Sequence, residues 1–347
     1  MHALLVSRMP KCIFCEQEKS SSAFSKPEHV LLRAFCAGFA QPIVLREGEC
    51  DECNQEFGNT IDRYLARGTP HGLRRFILGQ KRAKEFKPAS RKDGMSHYVR
   101  GGPRDGMLAR YKPVGDALEP ATLPQIGFSR VVEGEPYEFL PLDPFPTRED
   151  VQKRIHDGKT HIHIAGVPET ELPGVLKKLE EIGCKIIEES VPDSLKIPPG
   201  GIREYIETKA LLGDEFGRAI AKIGLNYLAS QYGVSTALLP QFDTVRRCVF
   251  EKRPLPRGGW VSGNYPVIRD AADAGARGHI LALDWQPKLG AVIFRISLYT
   301  QESTYGVRLS YGAFNLSPAI EGRAHFYNLA TKKVESATRV EQGIALL

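Results

Sequence analysis

The sequence predicts an α+β chain. A zinc-held hairpin-and-helix module opens it, followed by a mixed α/β domain whose C-terminal part is antiparallel and β-rich. Three observations carry that expectation. Two Cys-x-x-Cys pairs, Cys12/Cys15 and Cys50/Cys53, stand thirty-four residues apart, the spacing of two halves of one tetrahedral site. Near the middle, THIHIAGV (160–167) alternates as a strand does and runs into the amphipathic PETELPGVLKKLEEIG (168–183). After residue 278, β-branched and aromatic runs recur between short turn segments.

In chain order, Leu4 to Val6 reads as a short strand leading into the first cysteine pair. Pro27 disfavours helix for the residue before it, so Glu28-His29-Val30-Leu31 enters extended. A second strand at Pro42 to Leu45 closes a hairpin, with Gly38 in or near its turn. From Cys53 the recurrence of Phe57, Ile61 and Leu65 at every fourth residue predicts one helix through FGNTIDRYLARG. Hairpin then helix, with metal ligands at both ends, is the layout of a treble-clef or ββα-metal unit. A further short helix is expected within GLRRFILGQKRAKEF, and the Pro- and Gly-rich segment 113–149 reads as irregular, with one strand near Ile126 to Val132. CKIIEESV (184–191) reads as a strand. Residues 202–232 carry the strongest helical pattern, with Phe216, Ile220, Ile223 and Tyr227 on one face and Gly233 as the stop. FDTVRRCVFEKR (242–253) is a second helix, and 279–285, 290–298, 305–309 and 324–330 are strands of a meander. Expected boundaries are therefore a module over 1–68, a basic and Pro/Gly-rich connection over 69–150, and a targeting or regulatory α/β plus β-rich domain over 151–347.

Composition bounds the class. With 42% hydrophobic and 25% charged residues, the chain is ordinary for a globular protein. No stretch approaches the eighteen apolar residues of a membrane span. The N-terminal apolar run leads straight into the first cysteine pair, which argues against a signal peptide. Four of seven cysteines are paired by spacing and three (Cys36, Cys184, Cys248) are scattered, a pattern of metal site plus free thiols that points to a reducing, cytoplasmic setting. Cys36, within AFCAGFA, reads as a buried small hydrophobe rather than a fifth ligand. The net charge of +6 is uneven: residues 63–112 hold fourteen Lys/Arg against three acids, leaving the remainder at −5. Such a basic stretch suits a polyanion, although a solvated face would look the same. His161 and His163 share one face of their strand. With no third ligand in view they read as structural or solvent-facing.

A four-thiolate zinc site is closed and structural, so any chemistry must come from other residues. Glu28 and His29 lie between the cysteine pairs and Asn54 follows the second. Neutral imidazole can activate water, while a hard cation such as Mg2+ takes a carboxylate and an amide oxygen. Neighbours on a strand point to opposite sides, so Glu28 and His29 meet at one point only if the hairpin bends. The order CIFC, Glu28-His29, CDECN resembles the zinc-bearing branch of the HNH (ββα-metal) endonuclease superfamily. That resemblance implies His29 as general base, Glu28 and Asn54 as ligands of a catalytic Mg2+ or Mn2+, and Cys12, Cys15, Cys50 and Cys53 as ligands of structural zinc. It implies hydrolysis of DNA phosphodiester bonds, most directly in double-stranded DNA, with no membrane partner and room for a homo-oligomer or regulatory partner. Two departures stand out: residues 30–49 contain no Asn to brace the hairpin, and the acid is Glu where Asp is more usual. Asn59 and Asp62 read as supporting residues or, more simply, as polar helix surface. The competing reading is a non-catalytic treble-clef module that binds nucleic acid or protein.

Overall fold

A computed structural model describes residues 9–85, 95–130, 137–155, 160–184, 204–210, 212–263, 277–299, 303–311 and 322–336. The chain forms two compact units, one built from 1–80 with 212–347 and the other from 81–211. These divisions fall elsewhere than the compositional boundaries at 68/69 and 150/151. The module and the C-terminal strands complete one core, and the segment between them has cores of its own.

The first unit begins with a knuckle around Cys12 and Cys15, pinned where the Ile13 amide donates to the Gly48 carbonyl at 2.7 Å. Two short strands follow, β1 (Glu28–His29) and β2 (Val44–Leu45), paired antiparallel with Glu28 opposite Leu45 and His29 opposite Val44. Between them lies a single helical turn, α1 (Arg33–Cys36), inside what the sequence suggested was plain hairpin. Cys36 is buried there, its thiol donating to the Leu31 carbonyl at 3.2 Å and pushed up to about 12 by burial. It is a core residue, as expected.

The single helix expected from Cys53 is two, α2 (Asp51–Asn59) and α3 (Ile61–Arg67). Thr60 breaks them apart with non-helical φ −115° and ψ −98°, yet Phe57, Ile61 and Leu65 are all buried. Next comes α4 (Pro70–Ile77), with Pro70 in the first turn, where a missing N–H costs nothing.

The second unit is antiparallel. Strands β3 (Met95–Arg100), β4 (Leu108–Val114), β5 (Ala117–Thr122), β6 (Gln125–Arg130) and β7 (Glu138–Pro141) lead to α5 (Arg148–Gln152) and β8 (Thr160–Ala165). They are followed by α6 (Leu172–Glu181) and β9 (Tyr205–Ala210). Two sheets result, ordered β5-β4-β3-β9 and β7-β6-β8. Much of the segment expected to be irregular is thus strand. Val114 pairs with Ala117 across Gly115-Asp116, a two-residue hairpin in which Gly115 takes φ +58°. Pro120 is tolerated because β5 is an edge. β8 runs antiparallel to β6, and the expected strand at 184–191 lies, apart from Cys184, outside the described residues. So does the expected strand at Leu4 to Val6. His163 packs edge-on to Tyr137 and Phe139 while His161 is exposed, matching the structural reading of that pair.

The run expected as one helix over 202–232 changes type. Its first part is β9, which pairs with β3 from Met95–Ala210 to Arg100–Tyr205, and only α7 (Asp214–Tyr232) is helix. Long-range pairing overrides the local helix preference of Glu, Lys and Ala, and Gly213 caps the new start. Past α7 come α8 (Val234–Ala237) and α9 (Asp243–Phe250), then β10 (Trp260–Gly263), β11 (Gly278–Gln286), β12 (Ala291–Leu298), β13 (Thr304–Arg308), β14 (Arg323–Asn328) and β15 (Lys333–Ser336). The last six form an antiparallel sheet in the order β10-β13-β12-β11-β14-β15.

α7 is the axis of the first unit, buried from Phe216 to Ala229. Gly217 and Gly224 let the sheet come close: a Cβ would lie 2.8 Å from Trp260 at the first and from Phe294 at the second. The opposite side of the helix carries Lys222 and Asn226 toward the N-terminal module.

Candidate active site of the N-terminal module

The four paired cysteines converge. Their sulfurs lie within 4.8 Å of one another, with Cys12–Cys53 at 3.8 Å and Cys15–Cys50 at 3.9 Å. A tetrahedron of Zn–S bonds of about 2.3 Å sets sulfurs about 3.8 Å apart, so the geometry fits zinc. Among the described residues this is the one His/Cys/Asp/Glu cluster of that density. Four thiolates so close cannot all ionise without a cation: the Cys53 hydrogen bond draws Cys12 down to about 5 while Cys53 is driven up. Lys19 supports the cluster from outside, donating to Cys50 Sγ at 3.4 Å and to Glu52 at 2.6 Å.

Cys50 caps α2, and Asp51 and Glu52 fill its first turn. Asp51 reaches back across the module, accepting from Ser25 Oγ at 2.6 Å and from the Lys26 amide at 2.9 Å. The Ser25 bond, chiefly, holds its carboxyl below the ordinary aspartate value. This tie fixes the segment that enters β1 without an Asn in the hairpin. It also sets two carboxylates at the α2 N-terminus, where the helix dipole is already complemented by acid.

Glu28 turns inward and retains only 8% exposure, whereas His29 is half-buried. Burial, with Arg33 nearby, lowers the His29 pKa, so the ring is neutral at pH 7. Asn54 is half-buried in the first turn of α2, with its amide N–H on the Cys50 carbonyl at 2.9 Å. Among the described residues no hydrogen bond links Glu28, His29 and Asn54.

What Glu28 does touch lies 194 positions away: Lys222 Nζ donates to its Oε1 at 2.7 Å. The same ammonium bonds Asp62 Oδ2 at 2.7 Å and stands 3.5 Å from Glu49 Oε1, and Asn226 Nδ2 donates to Glu49 Oε2 at 2.7 Å. Lys222 has no exposed side-chain surface. Burial alone would lower its pKa, but Asp62, Glu49 and Glu28 together hold it above the ordinary lysine value. Burial raises Glu28 against the pull of Lys222, and burial likewise raises Glu49 well above the ordinary glutamate value. Asp62 is therefore a member of this cluster and not helix surface, whereas Asn59 is exposed. Among the described residues Glu28 Oε2 has no hydrogen-bond partner, and the residue keeps a small exposed surface. A free carboxylate oxygen and an unbonded amide side chain are the donor types a hard cation takes.

Residues 12–69 match the family model described as HNH endonuclease. The N-terminal module belongs to that family. No curated protein and no solved structure matches the chain. An HNH module with a four-cysteine zinc cluster is nuclease-like in kind and implies a nucleic-acid substrate. Lys222, Asn226 and the whole C-terminal sheet lie outside the matched segment.

The basic stretch runs over residues 63–112. It is divided between the two units at 80/81, and several of its cations are paired internally. Arg100 bonds Glu207 at 2.5 Å, Arg104 holds Glu204, and Arg82 holds Glu85. Arg63 and Arg67, on α3 within the HNH segment, are exposed. On α9, Arg246 is buried against Asp243 and Glu16 and so belongs to the core. Among the described residues no helix is long and apolar enough to cross a membrane.

Proposed function

We propose that this protein is a metal-dependent HNH endonuclease that hydrolyses phosphodiester bonds in double-stranded DNA. The observation that carries the proposal is the pair on β1. Glu28 is fixed through one oxygen with the other free, and beside it stands a half-buried, neutral His29, in a segment of the HNH family.

In this reading His29 accepts the proton of the attacking water, a task for neutral imidazole. Zinc at the four cysteines holds β1 and α2 in place. Glu28 and Asn54 would hold Mg2+ or Mn2+, whose chemistry when bound is to neutralise phosphate charge and stabilise the leaving oxygen. Exposed Arg63 and Arg67 suit the phosphate backbone, which supplies grip and no sequence reading.

The test is cleavage of plasmid with Mg2+ or Mn2+, beside His29→Ala at unchanged zinc content. A general base contributes about 10²–10⁴-fold, so cleavage should fall by that factor. Because burial lowers the His29 pKa, activity should hold below the ordinary histidine value of 6.5 and fall only at more acid pH. Equal cleavage by the two proteins sinks the proposal, and binding of DNA without cleavage would favour the non-catalytic module.

A further inference from the structure

The HNH module carries its acid on a strand of two residues, and that strand fixes only the backbone of Glu28. The side chain has three torsions of its own, so a defined carboxylate position needs a partner. That partner comes from α7, beyond the family segment. Lys222 offers three N–H donors, and three carboxylates surround them: Glu28 and Asp62 at 2.7 Å each, Glu49 at 3.5 Å. One turn further along α7, Asn226 holds Glu49 from its other oxygen at 2.7 Å. The ammonium is thereby fixed from three directions, and it fixes Glu28 through Oε1 alone.

We infer that Lys222 is a positioning residue for the metal-binding carboxylate of Glu28, so that the C-terminal part of the chain completes the active site of the N-terminal module. The inference rests on the metal-ligand reading of Glu28 proposed above. Lys222 has no exposed side-chain surface, so it touches neither phosphate nor water and acts only through Glu28. Its position leaves Glu28 Oε2 unbonded among the described residues and short of full burial, the oxygen that a cation would take. Carboxylates that ligate metals are themselves held by hydrogen bonds, and losing such a support costs about 10–100-fold in metal affinity.

The experiment is a Mn2+ titration of the zinc-loaded full chain, read by electron paramagnetic resonance, for wild type, Glu28→Gln and Lys222→Met. Zinc content and thermal unfolding establish that each protein is folded. Wild type should bind one Mn2+ that Glu28→Gln loses, and Lys222→Met should bind it about 10–100-fold more weakly. Crystals of wild type grown with Mn2+ supply an arm that does not depend on the variant folding. Anomalous density should lie against Glu28 Oε2 with Lys222 still on Oε1. Unchanged Mn2+ affinity in Lys222→Met, or Mn2+ displacing Lys222 from Glu28, overturns the inference and leaves the nuclease reading standing. Wild type without Glu28-dependent Mn2+ overturns the inference together with the metal-ligand reading beneath it.

Discussion

The N-terminal module holds two clusters of groups that repel one another when ionised, and it resolves them in opposite ways. Four thiols form one cluster, all supplied within forty-two residues of sequence and suited to a metal from outside. Three carboxylates form the other, and their cation is Lys222, part of the same chain. The thiol cluster is a local device that a short segment can encode. The carboxylate cluster is a tertiary device, and it makes the module dependent on a helix far downstream.

Breaking the thiol cluster should have the largest effect. Structural zinc is worth about 10–16 kcal/mol in isolated modules near neutral pH. Stripping zinc with a strong chelator, or Cys50→Ser, should therefore unfold the first unit, read as lost ellipticity together with released metal. Removing the internal cation comes second. Lys222→Ala leaves buried carboxylates uncompensated and should cost about 3–5 kcal/mol in chemical denaturation. A loss under about 1 kcal/mol would mean that the cluster is not a unit in solution.

The smallest effect belongs to the tie from Asp51 to the segment that enters β1. Asp51→Ala removes the bonds to Ser25 and Lys26 and should cost about 1–2 kcal/mol. Since the folded pKa of Asp51 lies below its ordinary 3.8, its contribution is full above that value and is lost as pH falls through the folded pKa. Wild type and variant should thus converge in stability in strong acid. A stability difference that does not shrink on acidification would assign the effect to something other than this carboxylate.

What the sequence made legible was local. The Cys-x-x-Cys spacing is readable because its geometry is set within a few residues. The module's interior partner was not readable. Arg218, Lys222, Asn226 and Ser230 recur at four-residue spacing, a pattern that ordinarily marks the wet face of a helix. Here Arg218, Lys222 and Asn226 are all buried. Nothing local distinguishes such a stripe from a solvated one, because its partners Glu28, Glu49 and Asp62 are specified elsewhere. The β4–β5 hairpin was missed for a different reason. Its Gly115-Asp116 turn is a readable signal, but the surrounding prolines favoured an irregular reading; Pro120 is acceptable on the edge strand β5, and Pro113 lies in the part of β4 beyond its pairing with β3. The strand at 205–210 shows the limit of propensity: YIETKA is good helix sequence, and pairing with β3 decides it.

The division of the first unit around an intervening one has a consequence for how the protein is made. Chains leave the ribosome N-terminus first and fold as they emerge. Cysteines, acid and histidine appear at the start, while Lys222 follows only after the whole of 81–211 has been synthesised. A nascent chain thus carries its family segment for more than a hundred residues of elongation before the cation of its acidic cluster exists. The order of synthesis sets a delay between the appearance of these carboxylates and that of the cation they surround.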